Sequence, residues 1–458
     1  MKPILFLVLS LTVLFPACRK ESFITSPDAN VRLSADSLKY DTLFTTAGSV
    51  TKSFKIINEN DRRLRLSSVR LMGGSNSVFK INIDGVAATE ATDIELEAND
   101  SVYVFVQVTI DPSAENLPFV LRDSIRIEYN GTERLVQLEA WGQNAHFLRN
   151  AEVLGTETWT NDLPYVILGY LRVNENASLD IEKGCRLYFH ANAPMVVNGS
   201  LHVNGTADSI DRVYFLGDRI DEPYRDYPAG WPGIYFSETS TASRMDYAVV
   251  RNAYQAIVSL GLTGPVNLTL NSCIIDNAYD VGLLAVNSSI SAGNLLVSNS
   301  GKNIVINKGG DYEFTNCSFV GYSTRYIGHL YPVLTVSNSD GSSTAALDAT
   351  FTNCIFWGDK GVVENEVVVE KIGADPFTLL FDHALWRQAS SPSFATLAAI
   401  TENQDPLFIN TDPATGKYNF RLAEGSPAVN SGRATSLTTD LDGRPRPAGV
   451  PDLGAYEQ

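Results

Sequence analysis

Apolar and polar residues alternate through the first third of the chain, and Asn, Asp and Gly interrupt the runs. The alternation is clearest at residues 50–60, 93–112 and 123–142. A period of two indicates β-strands with one buried face. Asn130 and Gly131 stand between two such runs, which is typical of a hairpin turn. Because no helical period accompanies these short strands, the pattern predicts an antiparallel β-sandwich over residues 31–144.

The later part of the chain repeats one short phrase, TNCSFVG at residues 315–321 and TNCIFWG at 352–358. Aligning the two cysteines brings six segments into register, with a small or aliphatic residue in one column. That column consists of Ala248, Cys273, Leu295, Cys317, Cys354 and Ala384. Its members lie 22 to 37 residues apart, and about 20 residues form one coil of a stacked parallel solenoid. Each phrase is therefore predicted to be one rung.

Three neighbouring columns support the alignment. Two positions after the first column all residues are apolar: Val250, Ile275, Val297, Phe319, Phe356 and Trp386. Four positions after it, a turn is predicted at Asn252, Asn277, Asn299, Gly321, Gly358 and Gln388. One position before it, three successive rungs carry Asn294, Asn316 and Asn353, which predicts an Asn ladder whose amides bond along the stack. Since parallel crossovers are overwhelmingly right-handed, we expect a right-handed parallel β-helix over residues 145–458.

Two family resemblances accompany this all-β reading. Residues 31–144 carry SFKIINEN, IELEANDSVYVFVQVTIDP and LVQLEAWG in that order, and this stretch resembles the immunoglobulin-like domains related to the abnormal-spindle and hydin proteins. The resemblance implies a spacer or interaction module. Residues 174–215, followed by residues 230–236, form the second stretch, which carries Val197, Gly199, Leu201, Gly205 and Thr206. It resembles the entry rungs of bacterial β-helix proteins of the pectate-lyase-like superfamily. Residues from about 405 to 458 resemble the C-terminal cap of the same surface proteins.

The first residues predict an export signal. A basic start precedes an apolar run from Ile4 to Phe15, and Ala17-Cys18 follows it. This end resembles the lipobox of bacterial lipoproteins, whose Cys is acylated and becomes the mature N-terminus. We therefore expect a signal peptide over residues 1–17, lipidation at Cys18, a tether over 18–30, and a location in the cell envelope, at the outer membrane. The alternative is an ordinary signal peptide with an incidental Cys. In the lipoprotein case the lipid is the only membrane contact.

Composition and charge limit the classes of partner that the chain is expected to bind. The chain has 44% apolar residues, enough for a large core. It carries 52 acidic against 35 basic residues, a formal charge of −17. Because no basic run could follow a phosphate backbone, nucleic acid is excluded as a partner.

The cysteines and acidic residues give no metal or cofactor signal. Cys185, Cys273, Cys317 and Cys354 show none of the close pairings of zinc sites, so no metal and no cofactor are predicted. Adjacent rungs would place Cys317 and Cys354 within disulfide range, but side chains of one column point the same way, which favours free thiols. The sequence Asp440-Leu441-Asp442-Gly443 resembles the start of a calcium loop but lacks the remaining ligands, which favours turn capping.

No catalytic residue is predicted. The column after the core strand reads Arg251, Asp276, Ser298, Val320, Trp357 and Arg387, which is not an acidic ladder. Glycoside hydrolysis needs two paired carboxylates, which this column does not supply. His190 and His202 are interpreted as packed or surface residues. A polysaccharide lyase or glycoside hydrolase of the pectate-lyase-like superfamily is nevertheless kept as the alternative function.

An insertion between the two clearest rungs supplies candidate binding residues. Within ten residues of each other lie Tyr322, Arg325, Tyr326, His329 and Tyr331. Aromatic faces with a few hydrogen-bond donors are suited to sugar rings. The alternative is that these Tyr side chains pin the loop to the solenoid. The sequence thus predicts an interaction scaffold whose partner is a polysaccharide or an envelope protein.

Overall fold

The computed structural model describes residues 22–44, 51–109, 119–261, 267–359 and 361–458. The predicted signal peptide and Cys18 lie outside these residues. The chain divides into two compact units, Met1–Asn144 and Ala145–Gln458. Strands and three short 3-10 helices make up the regular structure of the described part. The 3-10 helices are Gly74–Asn76, Tyr224–Asp226 and Pro413–Thr415. The described chain is therefore all-β, as expected, and none of its helices is long and apolar enough to cross a membrane.

The first unit consists of two five-stranded sheets, in the orders β1-β3-β8-β5-β6 and β2-β10-β9-β4-β7. The pairs are antiparallel except that β2 runs parallel to β10. The strands are β1 (Val31–Leu33), β2 (Ser37–Phe44), β3 (Lys52–Asn58), β4 (Leu64–Leu71), β5 (Phe79–Ile83), β6 (Val86–Ala87), β7 (Glu90–Leu96), β8 (Ser101–Val108), β9 (Phe119–Tyr129) and β10 (Thr132–Gln143).

One core joins these two sheets because alternate residues of their strands point inward. Phe54 and Val104 of one sheet and Leu66 and Ile125 of the other are almost fully buried in it. The Tyr40 hydroxyl of β2 donates to the carbonyl of Val106 in β8 at 2.6 Å, which links the sheets. The immunoglobulin-like identity of the unit stays a prediction.

The second unit is dominated by one 23-stranded sheet, β11 to β33, whose strands pair in parallel with later strands. The earlier strands are β11 (His146–Val153), β12 (Thr156–Trp159), β13 (Tyr165–Val173), β14 (Ser178–Glu182), β15 (Arg186–Phe189), β16 (Met195–Val197), β17 (Ser200–Asn204), β18 (Val213–Gly217), β19 (Ile234–Phe236), β20 (Ser243–Asp246), β21 (Ala248–Arg251) and β22 (Gln255–Leu260). The later ones are β23 (Leu268–Asn271), β24 (Ile274–Asp276), β25 (Val281–Gly293), β26 (Leu296–Ser298), β27 (Lys302–Thr315), β28 (Ser318–Gly321), β29 (Leu334–Ser337), β30 (Leu347–Gly358), β31 (Val367–Glu370), β32 (Phe377–Trp386) and β33 (Thr396–Glu402). This large parallel sheet is compatible with the expected β-helix, while its handedness stays a prediction.

The rung alignment made from the sequence is confirmed by the strand register. Ile275 pairs with Val250 on one side and Val297 on the other, and Phe319 pairs with Val297 and Phe356. The six residues of the Cys317 column are at most 1% exposed. Cys317 and Cys354 are both free and buried, and burial raises the pKa of the Cys354 thiol.

The column one position before the Cys317 column contains Asn residues because of its backbone geometry. All six members adopt a left-handed backbone, with φ between 49° and 57°: Tyr247, Ser272, Asn294, Asn316, Asn353 and His383. Asn tolerates this region better than most residues. The amide of Asn353 donates to Asn316 at 3.4 Å along the stack, so the predicted ladder holds for this pair, whereas the amide of Asn316 donates to the carbonyl of Asp452. The shorter amide bonds run elsewhere, from Asn294 to the carbonyl of Thr439 and from Asn353 to that of Arg433.

The segment 405–458 provides the carbonyl groups that accept these amide hydrogen bonds. It contains the hairpin of β34 (Phe408–Asn410) and β35 (Asn419–Leu422). Its apolar residues pack against outward-facing side chains of several rungs, including Leu296 and Leu385. The Arg212 guanidinium donates to the carbonyl of Leu441 at 2.6 Å, so contacts also reach an early rung. The segment therefore lies along the flank of the stack. Asp440 accepts backbone N–H groups of Asp442 and Arg444, which confirms turn capping there.

Candidate functional site

A groove of about 950 Å³ runs along the flank of the second unit. Loop 218–230, loop 322–332 and the segment 413–421 line its sides, and the ends of β21, β24 and β26 form its floor. Each wall comes from a different part of the chain, so the groove exists only because the solenoid brings distant insertions together.

The floor is organised by the predicted turn column. Asn252, Asn277 and Asn299 adopt φ values of 61°, 58° and 49°. The Asn277 amide donates to Asn252 at 2.8 Å and to the Asp226 carbonyl at 3.0 Å. Asn252 donates to the carbonyl of Arg225 at 2.6 Å. The column therefore fixes loop 218–230 as one wall of the groove.

The turn prediction is wrong for two later members of that column. Gly321 and Gly358 lie in strands, and the ring of His329 packs against both. A Cβ at Gly321 would lie 2.4 Å from the His329 Nδ1, and one at Gly358 would lie 2.3 Å from its Nε2. Close packing of a side chain, rather than a turn, is the reason for these glycines.

His329 belongs to a buried ionic cluster. Its Nε2 lies 3.0 Å from Oε1 of Glu366, and the Arg387 guanidinium donates to the same oxygen at 2.6 Å. The side chains of His329 and Glu366 are 2% and 0% exposed. Arg387 also donates to the carbonyl of Asp359. The cluster anchors loop 322–332, and it leaves the His329 ring without access to a ligand.

The other predicted binding residues are separated by the structure. Tyr322 packs against Phe408, Tyr418 and Phe420, and burial raises its pKa. Tyr331 is 51% exposed and lies outside the groove, with the Lys302 ammonium over its ring at 5.2 Å.

Arg325 and Tyr326 do line the groove. The Tyr326 ring lies 4.9 Å from that of Tyr227, which in turn lies 5.3 Å from Tyr224. All three residues are exposed by 36% or more. Aromatic side chains from two separate loops thus meet at one edge of the groove.

Trp231, in the same stretch as Tyr227, has a different role. It is fully buried, stacks on Phe189 at 4.4 Å and donates to the carbonyl of Arg251. Residues 224–231 therefore supply one core residue and two exposed aromatic residues within a few positions. Exposure at Tyr224 and Tyr227 could not be read from the residue types alone.

Charged side chains are dense in the groove. Six cationic residues line it: Arg219, Arg225, Arg251, Arg325, Lys417 and Arg421. Two carboxylates, Asp226 and Asp276, also face it. Asp276 accepts from the Ser298 hydroxyl at 2.7 Å and lies 3.3 Å from Nε of Arg251. These two carboxylates are the acid and base groups that the groove offers.

Other titratable pairs lie away from the groove floor. His190 contacts Asp218 at 2.7 Å, and burial raises the pKa of that carboxyl group. His202 contacts Asp180 at 3.0 Å across neighbouring rungs. In the described part of the chain, no group of three or more His, Cys, Asp or Glu side chains is placed to hold a metal ion.

Comparison with known proteins gives structural neighbours only. No protein-family model and no curated protein matches the chain. The ASH / PapD-like domain of human CEP192 matches 27% of this chain and 89% of its own, with 8% identity and a TM-score of 0.19. Two catalytic domains match the larger part of the chain. One, a GH87 alpha-1,3-glucanase solved with tetrasaccharides, covers 76% of this chain and 91% of its own, with 8% identity and a TM-score of 0.24.

The second catalytic domain is that of a GH87 alpha-1,3-glucanase from Streptomyces thermodiastaticus, which covers 77% of this chain and 88% of its own. Its identity is 10% and its TM-score 0.18. GH87 catalytic domains are parallel β-helix folds. With TM-scores of 0.18 to 0.24, these likenesses carry no argument about what this chain binds or does.

Proposed function

We propose that the flank groove of the second unit binds a glycan. The observation that carries this proposal is the exposed aromatic edge of Tyr224, Tyr227 and Tyr326 beside a groove floored by Asn and Arg side chains. Sugar rings stack their apolar C–H faces on aromatic rings, and their hydroxyls exchange hydrogen bonds with amides and guanidinium groups. A volume of about 950 Å³ accommodates several sugar units.

Hydrolysis of the bound glycan is the second candidate function. It was the alternative left open by the sequence. The observation in this chain that favours it is the presence of Asp226 and Asp276 in one groove. Glycoside hydrolases use two carboxyl groups flanking the scissile bond. Asp276 is held in place by the Ser298 hydroxyl and the Arg251 guanidinium, and Asp226 lies 3.7 Å from Nε of Arg225.

One assay separates the two candidates. The mature protein is incubated with a panel of acidic and neutral polysaccharides, and new reducing ends are measured alongside binding. Turnover that Asp276→Asn abolishes, while Asp246→Asn leaves it intact, would establish hydrolysis. Asp246 is a suitable control because it is also paired with an Arg, at the end of β20, and lies outside the groove. Retention on a glycan without turnover would establish a binding scaffold.

The aromatic edge gives a direct prediction. Replacing Tyr326 by Ala should weaken glycan binding by roughly 1 to 3 kcal/mol, because a ring that contacts the sugar is lost from the groove edge. Isothermal titration calorimetry measures the change. Tyr279→Ala is the matched control, since Tyr279 is 54% exposed, stacks on Tyr254 and lies outside the groove. Equal losses in the two variants would refute the assignment of the groove.

We also propose that the chain is a lipoprotein anchored through Cys18 in the cell envelope, with the first unit as an immunoglobulin-like spacer. The motif Ala17-Cys18 after the apolar run supports this proposal. Cys18→Ala should abolish acylation and leave the protein unprocessed or released. Metabolic labelling with a fatty acid tests it, and equally strong labelling of the Cys18→Ala variant would contradict it.

A further inference from the structure

We propose that the glycan bound in the groove carries acidic groups, which are recognised between Arg325 and Lys417. This inference rests on the glycan-binding function proposed above and names the class of glycan. It comes from the pairing of the charged side chains in the groove.

Four of the six groove cations already have carboxylate partners. These pairs are Arg219 with Asp221, Arg225 with Glu222, Arg251 with Asp276 and Arg421 with Asp442. Arg325 and Lys417 have no carboxylate partner within the residues that the structure describes. Both are exposed and both line the groove. Two cations without a carboxylate partner therefore face one cavity, although the chain as a whole has a formal charge of −17.

The two loops that carry these cations are tied to each other. The Tyr418 hydroxyl, next to Lys417, donates to the carbonyl of Ser323 at 2.7 Å. The Tyr322 ring packs against Tyr418, with ring centroids 6.3 Å apart. Loop 322–332 is anchored further by the buried Glu366. The backbone that carries both cations is thus held in place before a ligand binds, which lowers the entropic cost of recognition.

The chemistry of the two side chains selects an anionic group. A guanidinium donates two parallel hydrogen bonds to a carboxylate or sulfate, and an ammonium attracts it as a point charge. A neutral glycan would leave both cations without a partner. The exposed Tyr edge next to Arg325 favours an acidic sugar over a polyphosphate, because it offers stacking faces for sugar rings.

The test compares alginate, chondroitin sulfate and dextran as probes, using biolayer interferometry on the mature chain. The double variant Arg325→Ala/Lys417→Ala should lose about tenfold in affinity per cation for an acidic probe, about 1.4 kcal/mol each. Its affinity for dextran should change little. The control Arg149→Ala/Lys371→Ala removes the same charge from the same unit outside the groove. It should retain the affinity of the parent chain.

The outcomes separate this inference from the proposed function. Preference for an acidic probe that only the groove double variant abolishes supports the inference. Tyr326-dependent binding of dextran with no preference for acidic probes would overturn the inference and leave glycan binding intact. Equal losses in both double variants would show non-specific attraction and would also overturn it. Absence of binding to every probe would overturn both proposals.

Discussion

Cys317→Asp should destabilise the second unit by about 4 kcal/mol or more at pH 7. Cys317 is fully buried between the neighbouring rungs, where a carboxylate would find no cation. Keeping the new Asp neutral at pH 7 requires protonating a group whose ordinary pKa is about 3.9, and each pKa unit costs about 1.4 kcal/mol. Burial already raises the pKa of Cys354 in the same column, which shows the direction of the effect.

The pH dependence of this loss follows from the same argument. The folded-state pKa of the new Asp would be raised above its unfolded value, so the loss grows as the pH rises above the unfolded pKa. Urea unfolding followed by tryptophan fluorescence at pH 5 and pH 7 measures it. Cys317→Ala, which removes one sulfur atom, should cost only about 1 to 2 kcal/mol. An Asp variant as stable as the Ala variant would show that the column is not core.

Glu366→Ala should cost about 3 to 5 kcal/mol, because it leaves the largely buried guanidinium of Arg387 without its counter-ion. Glu366 is 0% exposed and accepts from both His329 and Arg387. The variant should also weaken glycan binding, since the cluster anchors loop 322–332. Thermal unfolding and calorimetric titration of the same sample measure the two effects.

Glu370→Ala is the matched control for Glu366. Glu370 ends β31 on the exposed side of the same segment, and its carboxylate accepts only a long bond of 3.4 Å from Ser337. Its replacement should change stability by less than about 0.5 kcal/mol. If the Glu366 variant were no less stable than the Glu370 variant, the cluster would contribute no net stability.

The rungs of the second unit could be predicted because neighbouring turns of the chain share one physical constraint. A parallel stack buries the same positions of each rung, so an apolar residue recurs at Val250, Ile275 and Val297. A left-handed backbone position recurs too, and Asn occupies it at Asn294, Asn316 and Asn353. These constraints are local to a rung and appear in the sequence as columns.

The groove could not be predicted because its walls do not share a period. Tyr227 and Tyr326 belong to insertions of irregular length on different rungs, and only the folded stack brings their rings to 4.9 Å. Lys417 follows a short 3-10 helix in a segment that folds back along the flank, and nothing in its sequence marks it as a groove residue. The ring chemistry of His329 predicts a binding residue, whereas its burial depends on Glu366, which is distant in the sequence.

Hydrogen–deuterium exchange of the protein with a saturating glycan shows directly whether the flank groove binds a glycan. If the groove binds the glycan, exchange should be slower in peptides covering loop 322–332 and the segment 413–421, which both line it. Peptides from the first unit should exchange at unchanged rates. Protection confined to the first unit would contradict glycan binding in the groove. So would a result in which no glycan of the panel slows exchange in either segment.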